Sequence, residues 1–253
     1  MPFGERDPCY LGWQADANFM QHVFIVSYGR SGSTVIQNLL NTIPGYCIRG
    51  ENGGLLNALL DACAGFDETR KERASKRSQR DPWFGIAESD PAALRKGLAE
   101  LFESAVLAPP PDCRTTGFKS IRFTPLELDD GQFTRVIDFL LEEFTDSRIV
   151  FNTRDPAEVA RSSWWADWPA SEVIGLVETT RKRFASAHER HPQSTFMIDH
   201  SDYDGRPEGL TALLDWLGER LPEDVVARVA SDRLTHMQPR LVRIREMIAR
   251  PFR

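Results

Sequence analysis

Residues 22–40, HVFIVSYGRSGSTVIQNLL, constrain the fold of this chain more than any other stretch. HVFIVS (22–27) is an apolar, β-branched run, typical of a parallel strand that is buried on both faces. A turn of small polar residues follows, and the stretch from Ser33 to Leu40 carries apolar residues at helical spacing. The segment therefore predicts a buried strand, a glycine-containing loop and a helix that begins directly after the loop.

The rest of the chain alternates the same two patterns. Short apolar runs predict further strands, and amphipathic stretches between them predict helices. Strands that alternate with helices form a parallel sheet with crossover helices, so we predict an α/β fold of three layers, with a mainly parallel central sheet and helices on both faces. The predicted strands are 46–49, 115–120, 147–154 and 194–199, and the predicted helices are 52–64, 91–107, 132–143, 155–166, 171–190 and 207–221.

No internal repeat or linker divides the chain, and we expect a single domain over 1–253 with three peripheral segments. Residues 1–20 are predicted to form an N-terminal arm. The polar residues 67–90 are predicted to form a surface excursion or a lid. Residues 233–253 hold six Arg and one Glu, and this basic tail is either a solvated helix or a cover over an anionic ligand.

Charge and composition exclude several classes of protein. The net charge of -6 argues against a general nucleic-acid binder, which would carry a basic surplus. The N-terminus lacks the pattern of a signal peptide, and no apolar run reaches the roughly 20 residues that span a bilayer, so we expect a cytoplasmic protein without a membrane span. The four cysteines are scattered without metal-ligand spacing, which predicts no metal site: Cys9, Cys47, Cys63 and Cys113.

The loop YGRSGST has the composition of an anion site. A strand that turns into a helix through small residues exposes backbone N–H groups at the helix N-terminus, where the helix dipole also favours an anion. The loop lacks the Lys of GxxxxGK[ST], and the chain lacks GxGxxG, so we expect a phosphate ester bound without an obligatory metal. A plain strand-to-helix turn is the alternative. The candidate ligand-binding residues are Gly29, Arg30, Ser31, Gly32, Ser33 and Thr34.

The segment YGRSGSTVIQNLLN resembles the 5′-phosphosulfate loop of sulfotransferases that use 3′-phosphoadenosine 5′-phosphosulfate (PAPS), in particular the bacterial and carbohydrate-type branch. The resemblance implies the P-loop-like sulfotransferase fold and PAPS as co-substrate, with no metal required. VFNTRDPAEVARSSWW (150–165) resembles the 3′-phosphate segment of the same family, and Arg154 and Ser162 have the matching spacing. The alternative is that Arg154 pairs with a local carboxylate, Asp155 or Glu158.

Two further windows resemble the catalytic positions of this branch. In IRGENGG (48–54), Glu51 stands where these enzymes carry a general base, and in GFKSIRF (117–123), Lys119 and Arg122 match a G-x-K-x-x-R pattern. The resemblance implies that Glu51 takes the acceptor's proton and that Lys119 and Arg122 face the sulfuryl group or the acceptor. As alternatives, Glu51 is a favourable charge at a helix N-terminus, and Lys119 is a solvated surface residue.

The match to the family is incomplete. The basic C-terminal loop and the catalytic His of the cytosolic enzymes have no counterpart here, which favours Glu51 as the base and leaves His200 as a second candidate. Trp164 and Trp165 are candidates for stacking on adenine, for the acceptor site or for the core. The acceptor is predicted to be a small molecule or carbohydrate with a hydroxyl or amine group. The oligomeric state stays open, a homodimer included.

Two other functions remain as alternatives to a PAPS-dependent sulfotransferase of the EC 2.8.2 type. One is a nucleotide-dependent kinase or another phosphotransferase with an altered phosphate loop. Such an enzyme needs an acidic Mg²⁺ ligand, and Asp199 after the last predicted strand is the candidate. The other is a non-catalytic module that binds the nucleotide.

Overall fold

The computed structural model describes residues 20–231. A central sheet of five parallel strands runs through these residues, in the order β2-β3-β1-β4-β5. All five predicted strands are present, each within one residue of its predicted ends. The strands are β1 (Gln21–Val26), β2 (Tyr46–Arg49), β3 (Thr115–Ser120), β4 (Ser147–Thr153) and β5 (Thr195–Asp199).

Helices cover both faces of the sheet, which confirms the predicted three-layer α/β architecture. The central strand β1 shows why: Phe24 and Val26 belong to one buried apolar cluster, while Val23 and Ile25 belong to a second cluster on the other face. The helices are α1 (Ser33–Leu40), α2 (Leu55–Arg73), α3 (Pro91–Phe102), α4 (Asp130–Glu143), α5 (Pro156–Ala160), α6 (Ala170–Arg190), α7 (Glu208–Leu217) and α8 (Glu223–Ser231). Helices α2, α3, α4 and α6 pack on the first cluster, and α1, α7 and α8 on the second.

The predicted end of the second helix was wrong. Helix α2 continues to Arg73 instead of ending at residue 64, so the first residues of the predicted excursion 67–90 are helical. Asp67 pairs with Arg70 and Lys71 one turn further on, and basic side chains in the last turn are favourable at a helix C-terminus. The rest of the segment lies mostly exposed on the surface.

The predicted helix over 155–166 was also wrong, because α5 ends at Ala160. Ser163 adopts a left-handed conformation with φ 53°, and a short 3-10 turn, Ser163–Asp167, follows. The break allows Trp165 to turn into the core, where its indole Nε1 donates to the Gly29 carbonyl at 3.1 Å. Ser162 therefore lies in a turn, not two helical turns into a helix.

Smaller differences concern the remaining helices. The helix predicted over 91–107 ends at Phe102 and continues as a π-helical turn, Glu103–Leu107. Helix α7 ends at Leu217, before Gly218 with φ 77°, and not at residue 221, where the predicted helix ended. Helix α8 was not predicted from the sequence. Of the described helices, none has the length and apolar character that crossing a bilayer requires. The predicted N-terminal arm, apart from its last residue, and the predicted basic tail lie outside the described residues.

Candidate active site

The predicted site residues converge at the carboxyl ends of the strands. Strand β1 lies between β3 and β4, and the loop YGRSGST leaves its carboxyl end. Lys119 lies near the carboxyl end of β3, and Arg154 follows β4 directly. Glu51 follows β2 and His200 follows β5. Because ligands of open α/β sheets bind in the crevice at such ends, the topology brings together residues that are far apart in the sequence.

A cavity of about 650 Å³ occupies this crevice. Six predicted site residues line it: Arg30, Gly32, Ser33, Thr34, Lys119 and Arg154. Five other predicted residues do not, and they are Gly29, Ser31, Glu51, Arg122 and Ser162. The remaining lining residues are Val35, Ile121, Trp164, His200, Tyr203, Asp204, Gly205, Ala230 and Ser231. Three cationic side chains therefore face one cavity whose described lining contains a single carboxylate.

The two loop glycines make room for protein side chains. A Cβ on Gly29 would lie 2.8 Å from Cζ2 of Trp164. A Cβ on Gly32, which has φ 91°, would lie 2.5 Å from Cδ2 of His200 and 2.6 Å from Oη of Tyr203. The sequence predicted both glycines to be ligand-binding residues. In the structure aromatic side chains from distant segments occupy that space.

Helix α1 begins at the cavity wall, where its Ser33 N–H donates only a long 3.4 Å hydrogen bond, to Oγ of Ser31. Its N-cap is Gly32, and its first turn contains no acidic residue. The N-terminal end of the helix dipole and its N–H groups thus remain suited to an anion. Ser31 is fully buried, and its hydroxyl lies 2.5 Å from the hydroxyl of Ser27, so this predicted ligand-binding hydroxyl points into the protein interior.

Arg30 lies at the centre of the polar contacts in the cavity. It adopts a left-handed conformation with φ 69°, and its Nε donates to Oγ of Ser162 at 3.0 Å. Its guanidinium lies 5.6 Å from the ring centroid of Trp164, within the range of a cation–π contact. Burial, together with the charge of Arg154, lowers the pKa of Arg30. Two positive charges so close together favour a bound anion.

Arg154 lies at the predicted ligand-binding site and also pairs with a local carboxylate, which the sequence had offered as the alternative. It lines the cavity, and its Nη1 donates to the Arg30 carbonyl at 3.3 Å. Its Nε also donates to Oε2 of Glu158 at 2.9 Å, which is the local pairing that the sequence left open. Tyr28 fixes its backbone, because the phenol accepts from the Arg154 N–H at 2.7 Å and donates to the Arg154 carbonyl at 2.9 Å.

Glu51 and Lys119 form an ion pair at the other side of the cavity. Nζ of Lys119 donates to Oε1 of Glu51 at 2.7 Å, and the backbone N–H of Ile121 donates to Oε2 at 3.3 Å. The Lys119 side chain is 11% exposed and the Glu51 side chain 35%. Lys119 is therefore no solvated surface residue, and Glu51 is adjacent to the cavity without lining it. Arg122 does not line the cavity and lies against Gly54.

His200 and Trp164 complete the walls. Burial lowers the pKa of His200, and the charge of Arg154 lowers it further, so its imidazole is neutral at neutral pH and able to accept a proton. Trp164 lines the cavity, whereas Trp165 is buried in the core. The sequence left the roles of the two tryptophans open, because their separation depends on the turn after α5.

Asp199, the candidate Mg²⁺ ligand, is engaged in hydrogen bonds. Its Oδ2 accepts from the Thr153 hydroxyl at 2.7 Å, and its Oδ1 accepts from the backbone N–H and the hydroxyl of Ser201 at 3.1 and 2.9 Å. Burial acts to raise the pKa of Asp199, but these hydrogen bonds outweigh it and the pKa is lowered. Within residues 20–231, no three His, Cys, Asp or Glu side chains cluster with metal-binding geometry.

Comparisons with known proteins bear on the family. A sequence profile of the sulfotransferase family matches residues 22–223, well over half of the chain. No curated protein sequence matches. Among solved structures, the chain is similar to the sulfotransferase domain of the olefin synthase from Synechococcus PCC 7002, with TM-score 0.54, 17% identity and coverage of 90% of this chain and 85% of that one.

Two further structures resemble the chain at lower TM-scores. Sulfotransferase STF9 from Mycobacterium avium has TM-score 0.44 and 16% identity, over 85% of this chain and 68% of that one. Mouse sulfotransferase SULT7A1, complexed with PAP, has TM-score 0.44 and 13% identity, over 84% of this chain and 64% of that one. The similarity at TM-score 0.54 shows that the fold is the P-loop-like sulfotransferase fold. From the profile match, together with the fold, the chain belongs to the sulfotransferase family.

Proposed function

We propose that this protein transfers the sulfuryl group of PAPS to a hydroxyl or amine group of a small-molecule or carbohydrate acceptor and releases 3′-phosphoadenosine 5′-phosphate (PAP). One observation carries the proposal: Arg30, Lys119 and Arg154, which come from the carboxyl ends of three neighbouring strands, line one cavity beside the N-terminus of α1. A ligand with several phosphate or sulfate oxygens complements such a cavity.

The two ends of the donor are assigned to two parts of this cavity. The N-terminus of α1, with Ser33, Thr34 and Arg30, is proposed to bind the 5′-phosphosulfate. Arg154 and Ser162 are proposed to bind the 3′-phosphate. The contacts that support the assignment are the hydrogen bonds from Arg30 Nε to the Ser162 hydroxyl and from Arg154 Nη1 to the Arg30 carbonyl. These bonds join the two parts, so each orients the other before a ligand arrives.

When bound, PAPS supplies the sulfuryl group. Sulfuryl transfer resembles phosphoryl transfer in its demands, which are in-line positioning and neutralisation of the charge that develops on the leaving oxygen. Arg30 and the N–H groups of α1 stabilise that charge on the 5′-phosphate. Lys119 stabilises the bridging oxygen or the sulfuryl oxygens. As the bond from sulfur to the bridging oxygen breaks, a bond from sulfur to the acceptor oxygen or nitrogen forms.

Glu51 is proposed to take the acceptor's proton. Its Oε1 is held by Lys119, and its Oε2 accepts only the long 3.3 Å bond from the Ile121 N–H among the described residues. Oε2 is therefore the oxygen that is better placed to accept a proton, and Lys119 fixes its orientation. A general base must come within hydrogen-bond reach of the proton it removes, which requires the acceptor to enter beside the Lys119 wall. His200 is the alternative base.

Isothermal titration calorimetry with PAP and with ATP–Mg²⁺ tests the donor. We expect PAP to bind tightly in the presence of a metal chelator, and ATP–Mg²⁺ to bind weakly. Preference for ATP–Mg²⁺ would overturn the proposal in favour of a phosphotransferase. Incubation of labelled PAPS with the protein and a cell extract, followed by mass spectrometry, then tests transfer. Binding of PAP without a sulfated product from any acceptor would identify a non-catalytic nucleotide-binding module.

A further inference from the structure

Three consecutive carbonyl oxygens of the loop are each bound by a different side chain from a distant part of the chain. The carbonyls of residues 29–31 accept hydrogen bonds, in order, from Nε1 of Trp165 at 3.1 Å, from Nη1 of Arg154 at 3.3 Å and from Oη of Tyr203 at 3.4 Å. The three donors lie in the segments after β4 and β5. The orientation of these three peptide groups is thus fixed from outside the loop.

Such fixation matters for an anion-binding loop. In a trans peptide the carbonyl of one residue points opposite to the N–H of the next residue. A carbonyl oxygen that turned toward a phosphate would repel it, so each peptide group must keep one orientation. Arg30 and Gly32 both have positive φ, 69° and 91°, and for Arg30 this conformation carries strain that surrounding contacts must balance. The hydrogen bonds to the carbonyls supply such contacts.

Among the three donors, Tyr203 makes the longest bond, but it is the one that also lies against Gly32, the N-cap of α1. Its side chain is 1% exposed, and its phenol accepts a hydrogen bond from Nδ2 of Asn152 at 2.9 Å. Burial raises its pKa, so the phenol keeps the proton that it donates to the Ser31 carbonyl. The same oxygen would lie 2.6 Å from a Cβ on Gly32. The phenol therefore supports the loop at Ser31 and Gly32, directly before α1 begins.

We infer that Tyr203 is a positioning residue for the 5′-phosphosulfate of the donor. Its hydroxyl holds the Ser31 peptide in the orientation that presents the Gly32 N–H and the N-terminus of α1 to the 5′ group. It acts through the loop backbone and has no charge of its own to offer the ligand. This inference rests on the proposed function, because it assigns a further residue to the 5′ end of the proposed donor site.

Tyr203→Phe removes the hydroxyl and keeps the ring. A net hydrogen bond contributes a modest free energy, and a bond as long as 3.4 Å lies at the weak end of that range, which corresponds to about a two- to fivefold change in affinity. We expect calorimetry to show about that loss for PAP, and less than about a twofold change for adenosine 3′-monophosphate, which lacks the 5′ group. In steady state, KM for PAPS rises while kcat changes little. A general loosening of the protein would instead lower the affinity for both nucleotides by the same factor.

Tyr46→Phe is the matched control, since Tyr46 is another buried tyrosine whose hydroxyl donates to Glu219 at 3.1 Å outside the cavity. It should leave both affinities unchanged. If Tyr203→Phe does not fold, Trp165→Phe takes its place, because it removes the donor to the Gly29 carbonyl. The affinities for PAP and for adenosine 3′-monophosphate are then measured for that variant. Wild-type protein that fails to bind PAP contradicts the proposed function. Alternatively, the wild-type protein binds PAP, and the variant loses affinity equally for both nucleotides or loses none. That result overturns only the role of Tyr203.

Discussion

Two ion pairs at the cavity differ in ways that bear on function. Lys119 and Glu51 lie 2.7 Å apart and are 68 residues apart in the sequence. Arg154 and Glu158 lie 2.9 Å apart and are four residues apart, with Glu158 on the first turn of α5. The carboxylate of the first pair is 35% exposed and that of the second is 47% exposed. In both pairs the cation lines the cavity and the carboxylate does not.

The difference suggests two uses for the same contact. A solvent-exposed pair four residues apart is worth about 0.3–0.5 kcal/mol, so an exchange of Glu158 for a phosphate would cost Arg154 little. Glu51 and Lys119 meet only because β2 and β3 are neighbours in the sheet, and Lys119 is mostly buried. Loss of one member of that pair leaves a charge without its partner in a confined site. We therefore expect the pair of Glu51 and Lys119 to serve chemistry and the pair of Arg154 and Glu158 to serve binding.

The largest effect is expected from Glu51→Gln. The amide keeps the shape of the side chain but cannot accept the acceptor's proton, and general acid–base catalysis contributes about 10²–10⁴-fold. We expect kcat to fall by about that factor, while the dissociation constant for PAP changes by less than about threefold. Single-turnover transfer from labelled PAPS and calorimetry measure the two quantities.

Glu158→Gln is the matched control for this prediction, because it makes the same chemical change on the other carboxylate of the comparison. It should retain nearly full kcat. If Glu51→Gln also retains it, Glu51 is not the base, and His200→Gln then tests the second candidate. Equal losses from the two Glu→Gln variants would show that the two ion pairs do not differ in function.

A smaller effect, on binding, is expected from Arg154→Gln. Hydrogen bonds to charged groups contribute about 1.5–3 kcal/mol, so the affinity for PAP should fall by about 10- to 150-fold. Adenosine 5′-monophosphate, which lacks the 3′-phosphate, should lose much less. Arg135→Gln is a suitable control, since Arg135 pairs with Asp61 at 3.2 Å away from the cavity. Equal losses for both nucleotides would place Arg154 elsewhere than at the 3′-phosphate.

The sequence predicted those parts of the fold that depend on local pattern. The strand before YGRSGST and the helix from Ser33 to Leu40 follow from apolar periodicity and glycine placement, and the structure confirms them. The end of α5 did not follow from the sequence. It depends on Trp165, whose indole reaches the Gly29 carbonyl 136 residues away, and a local pattern contains no information about such a contact.

The candidate site shows the same limit. The resemblance to the sulfotransferase family implied that Lys119 and Arg154 belong to the same site as the loop, and parallel strands, whose carboxyl ends share one edge, bring them there. The sequence did not predict that Ser31 faces the interior, where its hydroxyl contacts that of Ser27. It also did not predict that Tyr203 approaches Gly32, which depends on how the turn after β5 packs against the loop. Residues 230 and 231 of the unpredicted helix α8 also reach the cavity.

His200 belongs to the Arg154 side of the cavity and gives that side a pH dependence. Burial and the charge of Arg154 lower the pKa of His200 from its ordinary value of 6.5, although Asp204 lies 3.9 Å from Nδ1. The unfolded chain therefore binds this proton more readily than the folded chain. The contribution of His200 to the free energy of unfolding is fully present above pH 6.5. It falls as the pH drops through that value and levels off below the pKa of His200 in the folded chain.

We expect His200→Gln to flatten this dependence. The difference in Tm between about pH 7.5 and about pH 5.5 should be smaller in this variant than in the wild-type protein. Differential scanning calorimetry at both pH values measures it. His188→Gln provides a comparison on α6, where the histidine contacts the Thr195 hydroxyl at 2.7 Å. An unchanged difference in His200→Gln would mean that His200 titrates alike in the folded and unfolded chains.

The smallest effect is expected for PAP binding by Glu158→Gln, and its sign is informative. If Glu158 only holds Arg154 until a phosphate replaces it, removal of its charge eliminates a competitor, and the affinity for PAP should rise by about twofold, in line with the small energy of an exposed pair. The gain should vanish when Arg154→Gln is also present, because the two residues then no longer share a contact. A loss of affinity in Glu158→Gln would instead show that Glu158 orients Arg154 for the phosphate, and the two ion pairs would then be alike in holding their cations in place.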